Sequence, residues 1–156
     1  MATPTPQTAD IPSIPSTSNS ALRHDIRAAG LRATGARIAA LRIMREARKP
    51  LSHAEVVDRL SDQPWDKATI YRNLIDLATA GLLRRAVMGG RVWRFEDITE
   101  ADAEAHQHAH FVCTSCGVVE CLPDDAVTLS STIGKGQVDV QVRGACDDCD
   151  DTELTT

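Results

Sequence analysis

The sequence predicts an α+β fold in two units: a helical N-terminal unit that ends in a β-hairpin, and a small C-terminal α/β unit. Three observations support this. Helix start and stop signals recur through the first half of the chain, a Gly-Gly pair separates two β-rich segments, and four of the five cysteines form two Cys-x-x-Cys pairs near the end. A chain of 156 residues is long enough for two small units.

The flanking segments differ from these units in composition. Residues 1–19 contain four prolines and many Ser and Thr, so they bury too little apolar surface to offset chain entropy and are predicted to be a disordered tail. We expect ordered units over 20–96 and 106–150, a hinge over 97–105, and an acidic tail over 151–156. The N-terminal tail has no secretion signal, and no apolar run in the sequence reaches the ~20 residues that span a bilayer. We therefore expect a cytoplasmic protein without a membrane partner.

The first two helices are predicted from their N-terminal caps. The first helix covers about residues 21–29 with Ser20 as its N-cap. The second begins after Thr34 and buries Ile38 and Leu41. Their apolar spacing predicts one core-facing side on each helix.

The next two helices have stronger signals. Ser52 and Glu55 form a capping box that opens the third helix. The fourth, over about 67–80, follows the N-cap Asp66 and ends before Gly81. Its core-facing side chains recur at i, i+4 and i+7, at Ile70, Leu74 and Leu77.

A hairpin follows the fourth helix. The segments Leu82–Met88 and Arg91–Glu96 are β-rich, and Gly89-Gly90 between them can take the positive φ angles that a tight hairpin loop needs. Four helices followed by a basic hairpin predict a winged-helix unit.

The C-terminal unit is predicted to contain three strands and one short helix. Alternating apolar residues indicate strands over His106–Val112, Gly117–Leu122 and Gln137–Val142. A Ser/Thr-rich segment, Asp124–Ile133, is predicted as a helix of weak propensity.

Charge divides along the same boundary. Residues 21–96 carry 15 Lys and Arg against eight Asp and Glu, whereas residues 97–156 carry two against 13. A basic unit can bind a polyanion through phosphate neutralisation and counterion release. The alternative is an ordinary solvated basic surface.

Two Cys-x-x-Cys pairs, Cys113 with Cys116 and Cys146 with Cys149, are separated by 29 residues. Two such turns can complete a closed tetrahedral sulfur site suited to structural Zn²⁺. Disulfides and an iron centre are the alternatives, while a redox pair would need a thioredoxin-like βαβ pattern that the sequence lacks.

Histidines alternate just before the first pair. His106, His108 and His110 would face the same side of an extended segment and could bind a second metal ion. Glu96 could add a carboxylate, and His53 could add an imidazole from the first unit. Ligands from both units would make this site a switch.

Four motifs, in order, resemble the ferric uptake regulator family across residues 20–149. They are the segment Ala29–Thr34 with Arg37, the segment Ala68–Leu74, the segment His108–Gly117 with its HxHxxCxxCG pattern, and the segment Gly144–Cys149 with its closing GxCxxC pattern.

The resemblance implies a role for each matching residue. It implies that Tyr71 contacts bases, Arg72 contacts phosphate and Arg32 lies near the DNA backbone or minor groove. The complete predicted DNA-facing set is Arg32, Lys67, Thr69, Tyr71 and Arg72. The four paired cysteines would hold structural zinc, and Glu96, His108 and His110 fall where the family's regulatory ligands lie.

The sequence departs from the family pattern at several positions. Pro50 stands where a ligand is common, which makes His53 a substitute candidate. The additional metal site of some relatives is expected to be absent, partly because Val138 replaces its histidine. Cys121 stands where Glu or Asp is common, so it is a soft metal ligand, an oxidisable thiol or a buried small side chain. The segment 123–137 is short for a dimerisation helix.

The sequence and its resemblance together predict a metal-responsive repressor that binds palindromic double-stranded DNA as a homodimer and is not an enzyme. Its expected cofactors are structural Zn²⁺ and a second divalent ion, Fe²⁺, Zn²⁺ or Mn²⁺. A peroxide sensor on the same scaffold remains an alternative. A metallohydrolase is disfavoured, because neither a His-Glu-x-x-His motif nor a general base in a pocket is evident.

Overall fold

The computed structural model describes residues 17–98, 109–123, 125–133 and 138–150. Residues 1–16 of the first predicted tail, the whole second tail, most of the predicted hinge, and His106 and His108 lie outside the described residues. The first tail was predicted to extend to residue 19, but Asn19 begins the first helix. Among those described, no helix has the length and apolarity to cross a bilayer. The elements are α1 (Asn19–Ala28), α2 (Gly35–Ala47), β1 (Leu51–Ser52), α3 (His53–Arg59), α4 (Lys67–Thr79), β2 (Leu83–Val87), β3 (Trp93–Asp97), β4 (His110–Cys113), β5 (Val119–Cys121), β6 (Gln141–Gly144) and α5 (Asp147–Asp150).

The larger core lies among α1, α2, α4 and the first sheet. This sheet is antiparallel with the order β1-β3-β2. Apolar side chains spaced by helical periodicity face inward and pack on Phe95 of β3, which is fully buried. The fully buried members include Leu22, Ile26, Leu41, Met44, Leu51, Leu74 and Leu77.

The caps define the helix starts. Thr34, Ser52 and Asp66 are confirmed as N-caps, and the Ser52–Glu55 capping box is complete. The N-cap predicted at Ser20 is wrong: Ser18 caps α1, because its Oγ accepts a hydrogen bond from the Ala21 amide at 3.3 Å. The helix gains two residues at its start.

The hairpin is present but its loop is longer than predicted. Gly89 and Gly90 have φ angles of +64° and +128°, as expected. The last cross-strand pair is Val87 with Trp93, so five residues rather than two form the loop. The two-residue strand β1, which the sequence pattern did not indicate, pairs with β3.

The second sheet has the order β5-β4-β6, with β4 antiparallel to β5 and parallel to β6. The third strand begins at Gln141 rather than 137, because pairing with β4 selects which residues are extended. The predicted helix over 124–133 is wrong for its described part, 125–133. This segment forms turns, in which the Ser130 hydroxyl accepts from the Thr132 amide in competition with helical bonding.

The β2–β3 hairpin, here called the wing, packs against the second sheet through its loop, residues 88–92. Met88 at the start of the loop forms a small buried cluster with Val112 and Val119. The side-chain amide of Gln141 also donates, through Nε2, to the Val87 carbonyl at 3.2 Å. These contacts bring β3 and β4 close enough to share a site.

Candidate functional site

Four cysteine sulfurs converge at one end of the second sheet. Cys113 ends β4 and Cys116 follows in the turn, while Cys146 and Cys149 lie at and within the short helix α5. Their ligand atoms all lie within 4.8 Å of one another. The structure thus brings together the four residues predicted to bind structural zinc, here called the cysteine quartet.

Hydrogen bonding in the quartet favours one thiolate and opposes others. Backbone amides of Cys116 and Cys146 donate to the Cys113 sulfur and lower its pKa to about 6. The neighbouring thiols of Cys146 and Cys116 raise the pKa of Cys149 to about 12. Four thiolates this close need a cation to offset their charge. An all-sulfur donor set suits Zn²⁺, so the residues fit the ion.

A second group of donors, here called the mixed cluster, contains Glu96, His110 and Cys121. Their ligand atoms also lie within 4.8 Å of one another. His110 Nε2 lies 3.3 Å and 3.2 Å from the two carboxylate oxygens of Glu96. The Cys121 thiol donates to Glu96 Oε1 at 3.2 Å. Glu96 comes from β3 and the other two from β4 and β5, so the cluster joins the two sheets.

The chemistry of the mixed cluster fits a divalent ion. Imidazole nitrogen, carboxylate oxygen and thiolate sulfur are the three protein donors that Zn²⁺ accepts. Glu96 and His110 are both buried, which requires their polar atoms to be paired. Cys121 is half-buried and its thiol points at a carboxylate, so the small-hydrophobe interpretation describes it poorly.

Arg84 contacts the same carboxylate and was not identified from the sequence. It stands opposite Glu96 in the β2–β3 register. Its guanidinium donates to Glu96 Oε2 at 2.7 Å. The register of the hairpin would have placed Arg84 opposite Glu96, but the register can be worked out only from the correct loop length. The sequence predicted a two-residue loop, whereas the loop has five residues.

His53 lies elsewhere, and the structure does not bring it to the mixed cluster. Its Nε2 donates to the carbonyl of Lys67 at 2.8 Å, in the first turn of α4. Its ring meets Tyr71 edge-on, with the ring centroids 5.3 Å apart. His53 therefore connects α3 to the exposed side of α4.

The predicted DNA-facing side chains mostly lie on α4. Asp66 caps this helix by accepting from the Thr69 amide at 2.6 Å, a hydrogen bond that lowers the pKa of Asp66. Tyr71 is 41% exposed, so its ring is accessible on the outer side of the helix. Lys67 and Arg72 are exposed as well, and Thr69 is half-buried.

Arg32 is exposed in the connection before α2. Its carbonyl accepts from Arg37 at 2.7 Å, and Arg37 also pairs with Asp76 of α4 at 2.6 Å. The connection is thereby tied to the helix that carries Tyr71.

Comparison with known proteins gives consistent results. The model of the ferric uptake regulator family matches residues 28–141. The chain is 33% identical over 115 residues to ferric uptake regulation protein 1 of Mycolicibacterium fortuitum, covering 71% of this chain and 68% of that protein.

Two solved structures are similar in fold. One is the ferric uptake regulator of Vibrio cholerae, with a TM-score of 0.63 and 26% identity, over 80% of this chain and 98% of that one. The other is the regulator of Pseudomonas aeruginosa solved with manganese, with a TM-score of 0.56 and 26% identity, over 78% and 96%.

Proposed function

Since the chain belongs to the ferric uptake regulator family of metal-dependent regulators, we propose that it is a transcriptional repressor. It binds palindromic operator DNA as a homodimer when a divalent ion is held by the mixed cluster. The N-terminal unit, 20–96, is the DNA-binding part and the unit over 106–150 is the dimerising part. The protein is a regulator and not an enzyme.

The observation that supports this proposal is the composition of the mixed cluster. Glu96 extends from the wing, whereas His110 and Cys121 extend from the second sheet. A bound divalent ion supplies the positive charge that holds these three donors together. The wing and the second sheet are then fixed relative to each other, which sets the separation of two α4 helices in a dimer.

On the DNA side, Tyr71 reads bases while Arg72, Lys67 and Arg32 contact the backbone, with Thr69 at the same face. The exposure of Tyr71 and the excess of basic residues support this assignment. The cysteine quartet holds structural zinc. Its thiols need a reducing compartment such as the cytoplasm.

Among the expected ions Fe²⁺, Zn²⁺ and Mn²⁺, we propose Zn²⁺ as the regulatory ion. A thiolate in place of a carboxylate favours Zn²⁺ over Fe²⁺ and Mn²⁺, because sulfur is the softer ligand. We also assign His108 to this site, on its spacing of two residues from His110 alone.

The test is DNA binding before and after removal of the labile ion. A duplex is selected from a randomised pool by the Zn²⁺-loaded protein, and its affinity is measured by fluorescence anisotropy. A mild chelator that leaves the quartet loaded is expected to weaken binding about 10- to 100-fold, the usual range of coupling between two sites. The Glu96→Gln variant is expected to behave like the stripped protein even with Zn²⁺ present.

The matched control is Glu120→Gln, which removes an exposed carboxylate beside Cys121. It is expected to bind like the unchanged protein. Equal affinity of the loaded and stripped proteins for the selected duplex would refute the proposed switch.

A further inference from the structure

Arg84 and Glu96 form a partly buried ion pair at the edge of the mixed cluster. Their side chains are 31% and 9% exposed. They are direct partners across the β2–β3 ladder, so the backbone itself holds them side by side. The hairpin register therefore places the two side chains on the same face of the sheet, within reach of an ion pair.

We propose that Arg84 is an internal cation that competes with the regulatory ion for Glu96, and so sets the ion concentration at which the protein responds. The inference rests on the proposed function, because it assumes that the mixed cluster is the regulatory site. Arg84 tunes the affinity for the metal ion; it neither ligates the ion nor contacts DNA.

The geometry of the carboxylate supports competition. Oε2 of Glu96 accepts from Arg84 at 2.7 Å, and Oε1 accepts from Cys121 at 3.2 Å. A divalent ion beside His110 and Cys121 must use the same carboxylate. Two cations at one carboxylate repel each other, and the repulsion is screened weakly where water is excluded.

Neighbouring arginines are engaged elsewhere. Arg94 pairs with Glu55 at 2.6 Å, and Arg45 lies 2.8 Å from Asp25. Arg85, next in sequence to Arg84, stacks over the Trp93 ring at 4.0 Å. Arg85 therefore has the same charge on the same strand without this contact to the carboxylate, which makes it the matched control.

The coupling is reciprocal. If Arg84 weakens ion binding, the ion must weaken the Arg84–Glu96 pair by the same factor. Removal of Arg84 takes one positive charge away from a buried carboxylate, so the ion-free protein loses stability while the ion-bound protein gains affinity.

The experiment compares Arg84→Gln with Arg85→Gln in the full chain with its quartet loaded. The Kd for Zn²⁺ at the second site is measured by competition with a chromophoric chelator. Arg84→Gln is expected to bind Zn²⁺ about tenfold more tightly than the unchanged protein. Arg85→Gln is expected to stay within about twofold, because its charge is exposed and screened.

Thermal unfolding gives a second readout that does not depend on the titration. Without the labile ion, Arg84→Gln is expected to have a lower melting temperature than the unchanged protein. Saturation with Zn²⁺ is expected to raise the melting temperature of Arg84→Gln by more than that of the unchanged protein. Arg84→Met, which keeps the aliphatic stem, replaces Arg84→Gln if that variant loses its secondary structure. Arg84→Lys keeps the charge and is expected to leave affinity close to that of the unchanged protein.

Unchanged or weaker Zn²⁺ binding by Arg84→Gln, or by Arg84→Met where that variant takes its place, would overturn the role of Arg84 and leave the proposed function intact. An unchanged protein that takes up no Zn²⁺ beyond the quartet would instead contradict the proposed function, and the role of Arg84 with it.

Discussion

His53 has contacts that its residue type alone does not indicate. Its imidazole could bind metal, but its hydrogen bond goes to the Lys67 carbonyl and its ring packs against Tyr71. A ring that is edge-on to an exposed tyrosine restricts the rotamers of that tyrosine. We therefore expect His53 to position Tyr71 at the DNA and not to bind the ion.

Replacing His53 with Ala separates these roles. The variant is expected to bind two Zn²⁺ per chain with unchanged affinity, because no ligand is lost. Its affinity for the selected duplex is expected to fall by roughly three- to tenfold, the effect of losing one hydrogen bond worth about 1 kcal/mol. Metal titration and anisotropy measure the two effects.

His24→Ala is the control, since His24 is exposed on α1. A weaker second Zn²⁺ site in His53→Ala, with no such change in His24→Ala, would restore His53 as a ligand.

At the scale of elements, α3 depends on its first turn. The Ser52 hydroxyl accepts from the Glu55 amide at 3.3 Å, and Glu55 returns the contact by accepting from the Ser52 amide at 2.7 Å. Glu55 also pairs with Arg94 of β3. One carboxylate thus caps the helix and ties it to the sheet that carries Glu96.

Ser52→Ala is expected to lower the free energy of unfolding by about 1 kcal/mol, because one helix N-cap is lost. Chemical denaturation of the metal-loaded protein measures this change. Ser61→Ala, at an exposed serine just after α3, is expected to have no comparable effect. Equal destabilisation by the two variants would contradict the importance of the cap.

The capping box also has a pH signature. Partial burial raises the pKa of Glu55, but hydrogen bonds from Ser52 and the charge of Arg94 outweigh it and leave the pKa below its ordinary 4.5. A lowered carboxyl pKa adds stability that is present above the unfolded-state pKa and is lost as pH falls through the folded-state value. Glu55→Gln should therefore flatten the acid side of the stability profile below about pH 4.5.

At the scale of the molecule, the two sheets are stabilised differently. The first packs on a core that includes Phe95 and Leu74, whereas the buried cluster at the second sheet consists of Met88, Val112 and Val119. Such a small apolar cluster among the described residues stabilises a sheet weakly, so we expect metal binding to contribute much of the stability of the second sheet.

Cys146→Ser tests this difference. We expect it to abolish tight binding of the structural ion and to unfold the second sheet, while the N-terminal unit keeps a cooperative transition. Trp65 and Trp93, the two tryptophans, both belong to the N-terminal half and report on it by fluorescence. Circular dichroism reports on the whole chain.

Cys121→Ser makes the same chemical change outside the quartet. It is expected to retain the second sheet and to weaken only the labile ion. If Cys146→Ser instead shows no cooperative unfolding transition by either tryptophan fluorescence or circular dichroism, the two units fold as one.

Local sequence was enough to predict most helices, the wing and the cysteine quartet. Caps such as Thr34, Ser52 and Asp66 act within one turn of chain, and the Gly89-Gly90 angles depend on glycine itself. Each Cys-x-x-Cys turn places its two sulfurs on the same side through local backbone geometry. These signals are strong because few residues need to cooperate.

Long-range packing decided the remainder. The start of β6, the connection of His53 to α4 and the Arg84–Glu96 pair all depend on segments that are distant in sequence. A one-residue change in register turns every side chain of a strand to the other face, so such contacts follow only from the assembled sheets. The mixed cluster formed because hairpin and second sheet meet at Met88, and apolar packing of this kind has no local signature.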